Sequence, residues 1–252
     1  MSDISRRKLI TRGIAAAAAV AGLDVAAGLA SRFGFVPPDA GNLFSAGATL
    51  SYATQRLLAR RTPAREYSRD QISKKPFANA VDPLPKEFAA LQAGGFADWR
   101  LVVEGMVAHP RAFSLAELKD GPKSSQITMV ACEEGWDYIA EWSGVPLAHV
   151  LDAVGTRPGA RYVVYQSIQP DWYESIDMDD ATHPQTILAY GMNGGELPVP
   201  FGGPLRLRVP RQLGYKSVKY VTKMTVTDDL KRFGKGLGGG DPDGGYAWYA
   251  GI

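Results

Sequence analysis

The hydrophobic pattern of the chain predicts mostly β-strands from Trp99 onward. Apolar runs of strand length are separated by turn residues, and Asn193-Gly194 is a strong two-residue hairpin signal. Residues 219–227 alternate, with Tyr220, Thr222, Met224 and Val226 on one face and Lys219, Val221, Lys223 and Thr225 on the other. The other predicted strands are 101–107, 126–131, 161–165, 187–190 and 205–209.

Short helices are inserted among these strands. Ser114 and Glu117 form a capping box, which starts a helix because each side chain binds an end amide of the other residue. Residues 146–155 form a second helix with an apolar face of Leu147, Val150, Leu151 and Val154, which leaves His149 facing solvent. An earlier helix is predicted from about residue 43 to 60. The expected class is α+β, mostly β, with mixed sheets and short inserted helices.

The first thirty residues differ from the rest and are typical of an export signal. Arg6 and Arg7 precede a short apolar run, residues 13–23, which is mostly alanine and ends at Asp24. The run is shorter than the ~20 residues that span a bilayer, and no polar stripe indicates an amphipathic surface helix. The S-R-R-x-L-I sequence of residues 5–10 resembles twin-arginine signals. We therefore expect export to the periplasm by the twin-arginine machinery.

Cleavage of this signal stays open, because residues 26–30 offer small side chains without a clear A-x-A site. A retained signal would tether the protein to the membrane. The predicted organisation is a signal at 1–30, a helical lead-in at 31–80 and a catalytic domain at 81–252.

Composition excludes several classes of protein. The chain has 252 residues, of which 45% are hydrophobic and 21% charged, enough for one large domain or two small ones. Residues 1–30 hold four basic and two acidic residues, so the remainder has 24 of each, and no nucleic-acid partner is expected. One cysteine excludes a disulfide scaffold, and three scattered histidines do not suggest a histidine-rich metal site.

Cys132 is the residue whose chemistry needs most explanation. A lone cysteine is most often a small buried apolar residue. The adjacent Glu133 and Glu134 would raise the pKa of the thiol, which disfavours a thiol nucleophile. A hydrolase would also need a base nearby, and the sequence nominates none, since His183 fits a strand entry equally well. A bound metal would deprotonate and shield the thiol, and one thiolate suffices when a cofactor supplies the other ligands.

The motifs around Cys132 resemble the sulfite-oxidase-fold molybdopterin enzymes. The resemblance runs from about Trp99 to the C-terminus, with its segments in the family's order. They are the Cys132-x-Glu134-x-Trp136 motif and residues 142–147, 183–194, 203–210 and 214–220. The resemblance implies a molybdenum-molybdopterin cofactor and the sulfite oxidase fold.

The resemblance also implies which residues hold the cofactor. Cys132 matches the cysteine that ligates molybdenum. Arg206 and Lys219 would meet the pterin phosphate, since a bound phosphate needs cations and fixed amide donors. Phe201 replaces a contact that is often His or Asn in the family and cannot donate. The positions that match cofactor contacts are Asn79, Cys132, Ser167, Phe201, Arg206, Ser217, Val218 and Lys219.

Glu133 and Glu134 indicate which class of substrate to expect. Animal and plant sulfite oxidases carry arginines there, and two carboxylates would repel a sulfite dianion. Glu134 matches a carboxylate of the periplasmic methionine-sulfoxide reductase branch and is a candidate for handling the two protons that sulfoxide reduction consumes. A surface carboxylate without a role is the alternative for Glu134.

The expected function is oxygen-atom transfer, of the sulfoxide- or N-oxide-reduction type, with an external electron carrier such as a membrane cytochrome. The substrate would be a small molecule or a sulfoxide. A non-enzymatic periplasmic binding or assembly module without metal is the alternative. Residues 171–173 and the aromatic cluster 246–249 are candidate pocket walls, and burial in the core is the favoured alternative for the cluster.

Overall fold

The computed structural model describes residues 34–40, 45–79 and 84–252, so the predicted export signal lies outside the described residues. The chain divides into two compact units, residues 1–58 and 59–252. The first unit contains helix α1 (Ser45–Leu58), close to the predicted helix at 43–60. In the described ranges, no helix has the length and apolar character needed to cross a bilayer.

The second unit is built on two β-sheets, and the mostly-β class expected from the sequence is confirmed. One sheet has the strand order β2-β1-β10-β5-β6, and the other has the order β3-β4-β7-β8, with β9 also paired to β7. The strands are β1 (Arg100–Gly105), β2 (Arg111–Ser114), β3 (Ser124–Ala131), β4 (Asp137–Pro146), β5 (Tyr162–Ser167), β6 (Tyr173–Asp177), β7 (Ile187–Met192), β8 (Gly195–Glu196), β9 (Arg206–Arg208) and β10 (Val221–Thr227).

Strand β10 begins later than the sequence predicts. It pairs parallel to β1 and antiparallel to β5, with a bulge between Val221 and Lys223. Tyr220, just before the strand, has a φ of 57°. The predicted alternation through Lys219 and Tyr220 is therefore wrong: the chain turns there, because a bulge and a left-handed residue break the period of two. Both side chains are buried.

The second sheet carries the segment that leads to the site. Its strands β3 and β4 alternate buried and less buried residues, as one-sided burial requires. The free edge of β3 is covered by the chain before it, because Glu66 bridges Thr128 and the Tyr67 amide donates to the Ile127 carbonyl at 2.9 Å. This pairing places residues 66–67 beside β3, and the chain then continues to Asn79.

Short helices connect the strands, and their predicted caps are confirmed. Ser114 Oγ accepts from the Glu117 amide and the Glu117 carboxylate accepts from the Ser114 amide. The apolar face predicted for residues 147–154 is buried and His149 is exposed. The helices of this unit are α2 (Lys86–Ala93), α3 (Leu115–Asp120), α4 (Leu147–Ala153), α5 (Met178–Ala181) and α6 (Gly240–Asp243), with 3-10 turns at Arg69–Gln71, Val199–Phe201 and Gly214–Lys216.

Candidate active site

Cys132 lies in a tight turn at the end of β3. Its amide donates to the Trp136 carbonyl at 2.9 Å, and its carbonyl accepts from the Gly135 amide at 3.1 Å. Gly135 has a φ of 90°, a value that a residue with a side chain rarely adopts. The turn reverses the chain into β4 and holds the half-buried thiol at the sheet edge.

The surroundings of Cys132 keep its thiol protonated. Burial raises the pKa of Cys132 to about 12, and the two neighbouring carboxylates add to the rise. The thiol donates to Glu133 Oε2 at 3.3 Å, and Glu134 Oε2 lies 3.8 Å from the sulfur. Cys132 is therefore unsuited to act as a free nucleophile, since the thiolate is the reactive form.

A cavity of about 510 Å³ opens beside Cys132. It brings together residues that are far apart in the sequence. The sequence-predicted residues that line it are Asn79, Cys132, Glu134, Asp171, Trp172, Arg206, Ser217, Lys219 and Tyr246.

Two buried cations form part of the cavity lining. Arg206 is 4% exposed and Lys219 5% exposed. Arg206 Nε donates to the Ser217 carbonyl at 2.9 Å, and Lys219 Nζ donates to the carbonyls of Asn79 and Pro200. Burial, with a smaller repulsion from Arg206, lowers the pKa of Lys219 to about 7. Neither cation forms an ion pair with a carboxylate of the described residues. The side chain of each is therefore available to bind an anion.

Arg208 and Arg211 have structural roles beside these cations. Arg208 is fully buried and donates to Ser217 Oγ at 3.0 Å and to the Met129 carbonyl at 3.1 Å, which joins β9 to β3. Burial lowers the pKa of Arg208 to about 9. Arg211 pairs with the buried Asp180 at 3.2 Å. All three arginines of this region are therefore buried rather than exposed strand residues.

A polar network connects the lead-in to the Cys132 turn. Glu134 Oε2 accepts from Trp136 Nε1 at 2.7 Å and from Asn79 Nδ2 at 3.1 Å. The ring of Phe77 packs against that of Trp136 with 5.2 Å between centroids. Asn79 thus contacts Glu134 through its side chain and Lys219 through its carbonyl.

Three predicted cofactor residues do not line this cavity. Ser167, on β5, lines another cavity together with Leu91 and Thr222. Phe201 packs its ring on Tyr138, and its carbonyl accepts from Arg206 Nη1 at 3.0 Å. Val218 is fully buried. Their assignment to the cofactor stays a prediction.

The aromatic cluster near the C-terminus is divided between core and cavity. Trp248 and Tyr249 are buried, in agreement with the favoured alternative, whereas Tyr246 is 48% exposed and lines the cavity. Sequence reasoning gave no cavity role to Tyr215 or Asp241. Tyr215 lies within a motif shared with the family and Asp241 within the glycine-rich segment. Neither position in the sequence predicts that the side chain lines the cavity. The cavity-lining residues that the sequence pattern did not place at the cavity include Trp136, Gly214, Tyr215, Gly240 and Asp241.

Four carboxylates also line the cavity: Glu133, Glu134, Asp171 and Asp241. None forms an ion pair with a described Lys or Arg. Burial raises the pKa of Asp241, and the charge of Glu133 adds to that rise. The cavity therefore combines buried cations with carboxylates that no basic residue neutralises.

Comparison with known families accounts for this combination. A family model described as the oxidoreductase molybdopterin-binding domain matches residues 89–232, more than half of the chain. The chain belongs to this family. The resemblance inferred from the motifs is confirmed, as is the expected cofactor class.

Two relatives carry the names of methionine-sulfoxide reductase subunits. A protein of Azospira oryzae, YedZ1, named as a protein-methionine-sulfoxide reductase subunit, is 41% identical over 155 residues, 62% of this chain and 56% of that protein. The protein-methionine-sulfoxide reductase catalytic subunit MsrP of Ralstonia nicotianae is 30% identical over 178 residues, 65% of this chain and 50% of that protein. The match thus spans about half the length of these relatives.

A solved structure confirms the predicted fold. The sulfane dehydrogenase SoxCD from Paracoccus pantotrophus aligns with a TM-score of 0.51 and 24% identity, over 52% of this chain and 39% of that chain. The molybdopterin-binding domain described here therefore has the sulfite-oxidase-type fold, mostly strands with short helices.

The residues of this domain fit the family's cofactor. The described residues contain no group of three or more His, Cys, Asp or Glu side chains that would hold a metal on its own. One thiol beside a cavity suits a metal whose other ligands come with an organic group. Arg206 and Lys219, buried without carboxylate partners, suit the phosphate of such a group, because cations buried without a counterion are costly.

Proposed function

We propose that this protein is an exported molybdopterin-dependent reductase that removes the oxygen atom from methionine-sulfoxide-type substrates, with Cys132 as the protein ligand of molybdenum. The observation that carries the proposal is the position of Cys132 at a cavity lined by Arg206 and Lys219. The names of the two sulfoxide-reductase relatives support the substrate class.

In this proposal the cofactor supplies the two-electron redox chemistry, and the chain supplies position and charge. Arg206 and Lys219 would hold the cofactor phosphate, and the backbone of residues 214–219 would offer amide donors to it. Cys132 would hold the metal as a thiolate, because metals coordinate the deprotonated form. Trp172 and Tyr246 supply apolar surface against which a methyl sulfide group packs.

Glu134 is assigned to proton handling at its Oε2 atom. Reduction of a sulfoxide takes two electrons and two protons and releases the sulfide and water. Asn79 Nδ2 and Trp136 Nε1 fix Glu134 Oε2 close to Cys132. A carboxylate in a fixed position at the cavity is suited to pass protons between solvent and the substrate oxygen.

The charge of the cavity favours an uncharged substrate group. A sulfoxide carries no net charge, whereas a sulfite dianion would approach Glu133, Glu134, Asp171 and Asp241. Like charges at short range repel most strongly where water is excluded. Sulfoxide reduction is therefore preferred over sulfite oxidation.

Electrons would come from an external carrier, such as a membrane cytochrome. The twin-arginine sequence at residues 5–10 supports export of the folded protein to the periplasm.

Metal and pterin analysis of the purified protein tests the proposal, together with sulfoxide reduction by an artificial electron donor. We expect stoichiometric molybdenum and pterin and turnover of methionine sulfoxide. The Cys132→Ser variant should lose activity, with little change in thermal stability, because the half-buried side chain makes a small packing contribution. Loss of folding in this variant would favour a structural cysteine, and full activity without molybdenum would contradict the proposal.

A further inference from the structure

Two separate segments contribute to the cavity lining. The first, here called the cofactor loop, is residues 214–219 and contributes Tyr215, Ser217 and Lys219. The second, here called the C-terminal wall, is residues 234–246 and contributes Gly240, Asp241 and Tyr246. The two segments touch where the rings of Tyr215 and Tyr246 pack with 5.7 Å between centroids.

Glu174 on β6 joins the two segments. Its Oε2 lies 2.6 Å from Lys216 Nζ of the cofactor loop, and both side chains are completely buried. Its Oε1 accepts from the backbone amide of Asp241 in the wall at 3.0 Å. A single carboxylate thus bonds to both segments.

The approach of the wall to Glu174 is close. Gly239 lies so near the carboxylate that a methyl group there would overlap both carboxylate oxygens. Behind the pair, Trp248 Nε1 donates to Ser175 Oγ at 2.9 Å and Tyr165 Oη donates to the Lys216 carbonyl at 2.7 Å. The neighbours are therefore fixed, and the carboxylate has little freedom to move.

A buried ion pair is a poor source of stability. The cost of removing two charges from water often exceeds their attraction, so apolar pairs of similar size are frequently as stable. Burial raises the pKa of Glu174 while Lys216 opposes the rise, which reflects that cost. A role in positioning explains the geometry better, since the Glu174 carboxylate holds Lys216 and the Asp241 amide in fixed places.

We propose that Glu174 is a positioning residue that sets the C-terminal wall against the cofactor loop and so determines how tightly substrate is held. It acts through Lys216 and the Asp241 amide and does not line the cavity itself. The kinetic part of this proposal rests on the sulfoxide-reductase function.

The main test replaces both charges in the full-length, cofactor-loaded protein. The Glu174→Met/Lys216→Met double variant removes both charges of the pair and retains similar volume, so it should fold and keep its molybdenum content. The Asp241 amide loses its acceptor, and we expect faster hydrogen exchange in residues 234–246. For a methionine-sulfoxide peptide, KM should rise roughly tenfold with kcat changed by less than about twofold, because misplacement weakens binding.

Two further variants keep the test decisive. Glu174→Gln/Lys216→Met preserves the acceptor for the Asp241 amide without leaving Lys216 unpaired, so exchange and KM should return toward the wild-type values. Gly239→Ala displaces the wall and leaves both charges, and it should raise KM as the double variant does. Glu141→Gln, which breaks the ion pair of Glu141 with the exposed Arg69, is the matched control and should change neither quantity.

A double variant with wild-type exchange and KM, whatever its thermal stability, would overturn the proposal and leave Glu174 a structural residue. If the wild-type protein reduces no sulfoxide, the proposed function fails, and the exchange result still decides whether Glu174 positions the wall.

Discussion

At the residue scale, Lys219 combines burial with a positive charge that no described carboxylate balances. Its side chain is 5% exposed and donates only to backbone carbonyls. Carbonyl oxygens satisfy hydrogen bonds without neutralising a charge, so desolvation lowers the pKa of Lys219 to about 7. A bound phosphate would reverse this effect.

Lys219 makes the cofactor-free protein sensitive to pH. Its ordinary pKa is 10.5 and its folded value is about 7, so between these limits the unfolded chain binds more protons than the folded one. Stability therefore rises with pH from about 7 to 10.5. We expect urea unfolding of protein made without molybdate to show this rise, and the rise to be absent in Lys219→Met. If the stability of Lys219→Met rose equally with pH, the rise would have to come from another titratable group.

At the element scale, helix α3 depends on the capping box that the sequence predicts. It has only six residues, so its end contacts are a large share of its hydrogen bonds. The Glu117 pKa is lowered to about 2, mainly by the Ser114 amide, with contributions from the Ser114 hydroxyl and from Arg111. Local sequence specifies where this helix begins, and packing of Leu118 in the core adds to its stability.

Replacing the cap should weaken the protein without changing its site. We expect Ser114→Ala to lower the free energy of unfolding by about 1 kcal/mol, because the Glu117 amide loses its acceptor. The lowered pKa of Glu117 adds stability above pH 4.5 that is lost as pH falls toward 2. Chemical denaturation at several pH values measures both effects, and Glu117→Gln should flatten the acid side of the profile. Unchanged unfolding in Ser114→Ala would contradict the cap's role.

Strand boundaries follow local pattern less closely than this helix does. The pattern at 187–190 continues to Met192 in β7, and the hairpin at Asn193-Gly194 is confirmed by positive φ at both residues. The start of β10 was wrong, because its bulge arises from pairing with β5. A bulge depends on the partner strand, which the local sequence does not specify.

At the scale of the whole molecule, the fold collects charges that the sequence disperses. Glu133 and Glu134 are adjacent in the chain, but Asp171 and Asp241 reach the same cavity from distant loops. Asp171 has a φ of 62°, a conformation that asparagine also tolerates, so its charge is removable without backbone strain.

Removing that charge should strengthen anion binding. With sulfite as an inhibitor of sulfoxide reduction, we expect Asp171→Asn to lower the inhibition constant by about two- to tenfold, since one repulsive charge is lost near the site. The effect should diminish at high salt. Asp152→Asn, at an exposed position on α4, is the control. Equal sulfite inhibition of the wild type, Asp171→Asn and Asp152→Asn would show that the Asp171 carboxylate does not select against anions.

The sequence by itself, through its family resemblance, determined the fold class and the cofactor class. It also nominated Cys132 as the metal ligand and Arg206 and Lys219 as partners of the cofactor phosphate. These conclusions rest on short segments whose residue order is a local property of the chain. The tertiary structure alone decided which residues share the cavity. It excluded Ser167, Phe201 and Val218 from the lining, and it brought Tyr215 and Asp241 into it. It also brought Glu174 within 2.6 Å of Lys216, 42 residues away. Such contacts depend on strand order and register, which arise from packing between distant segments.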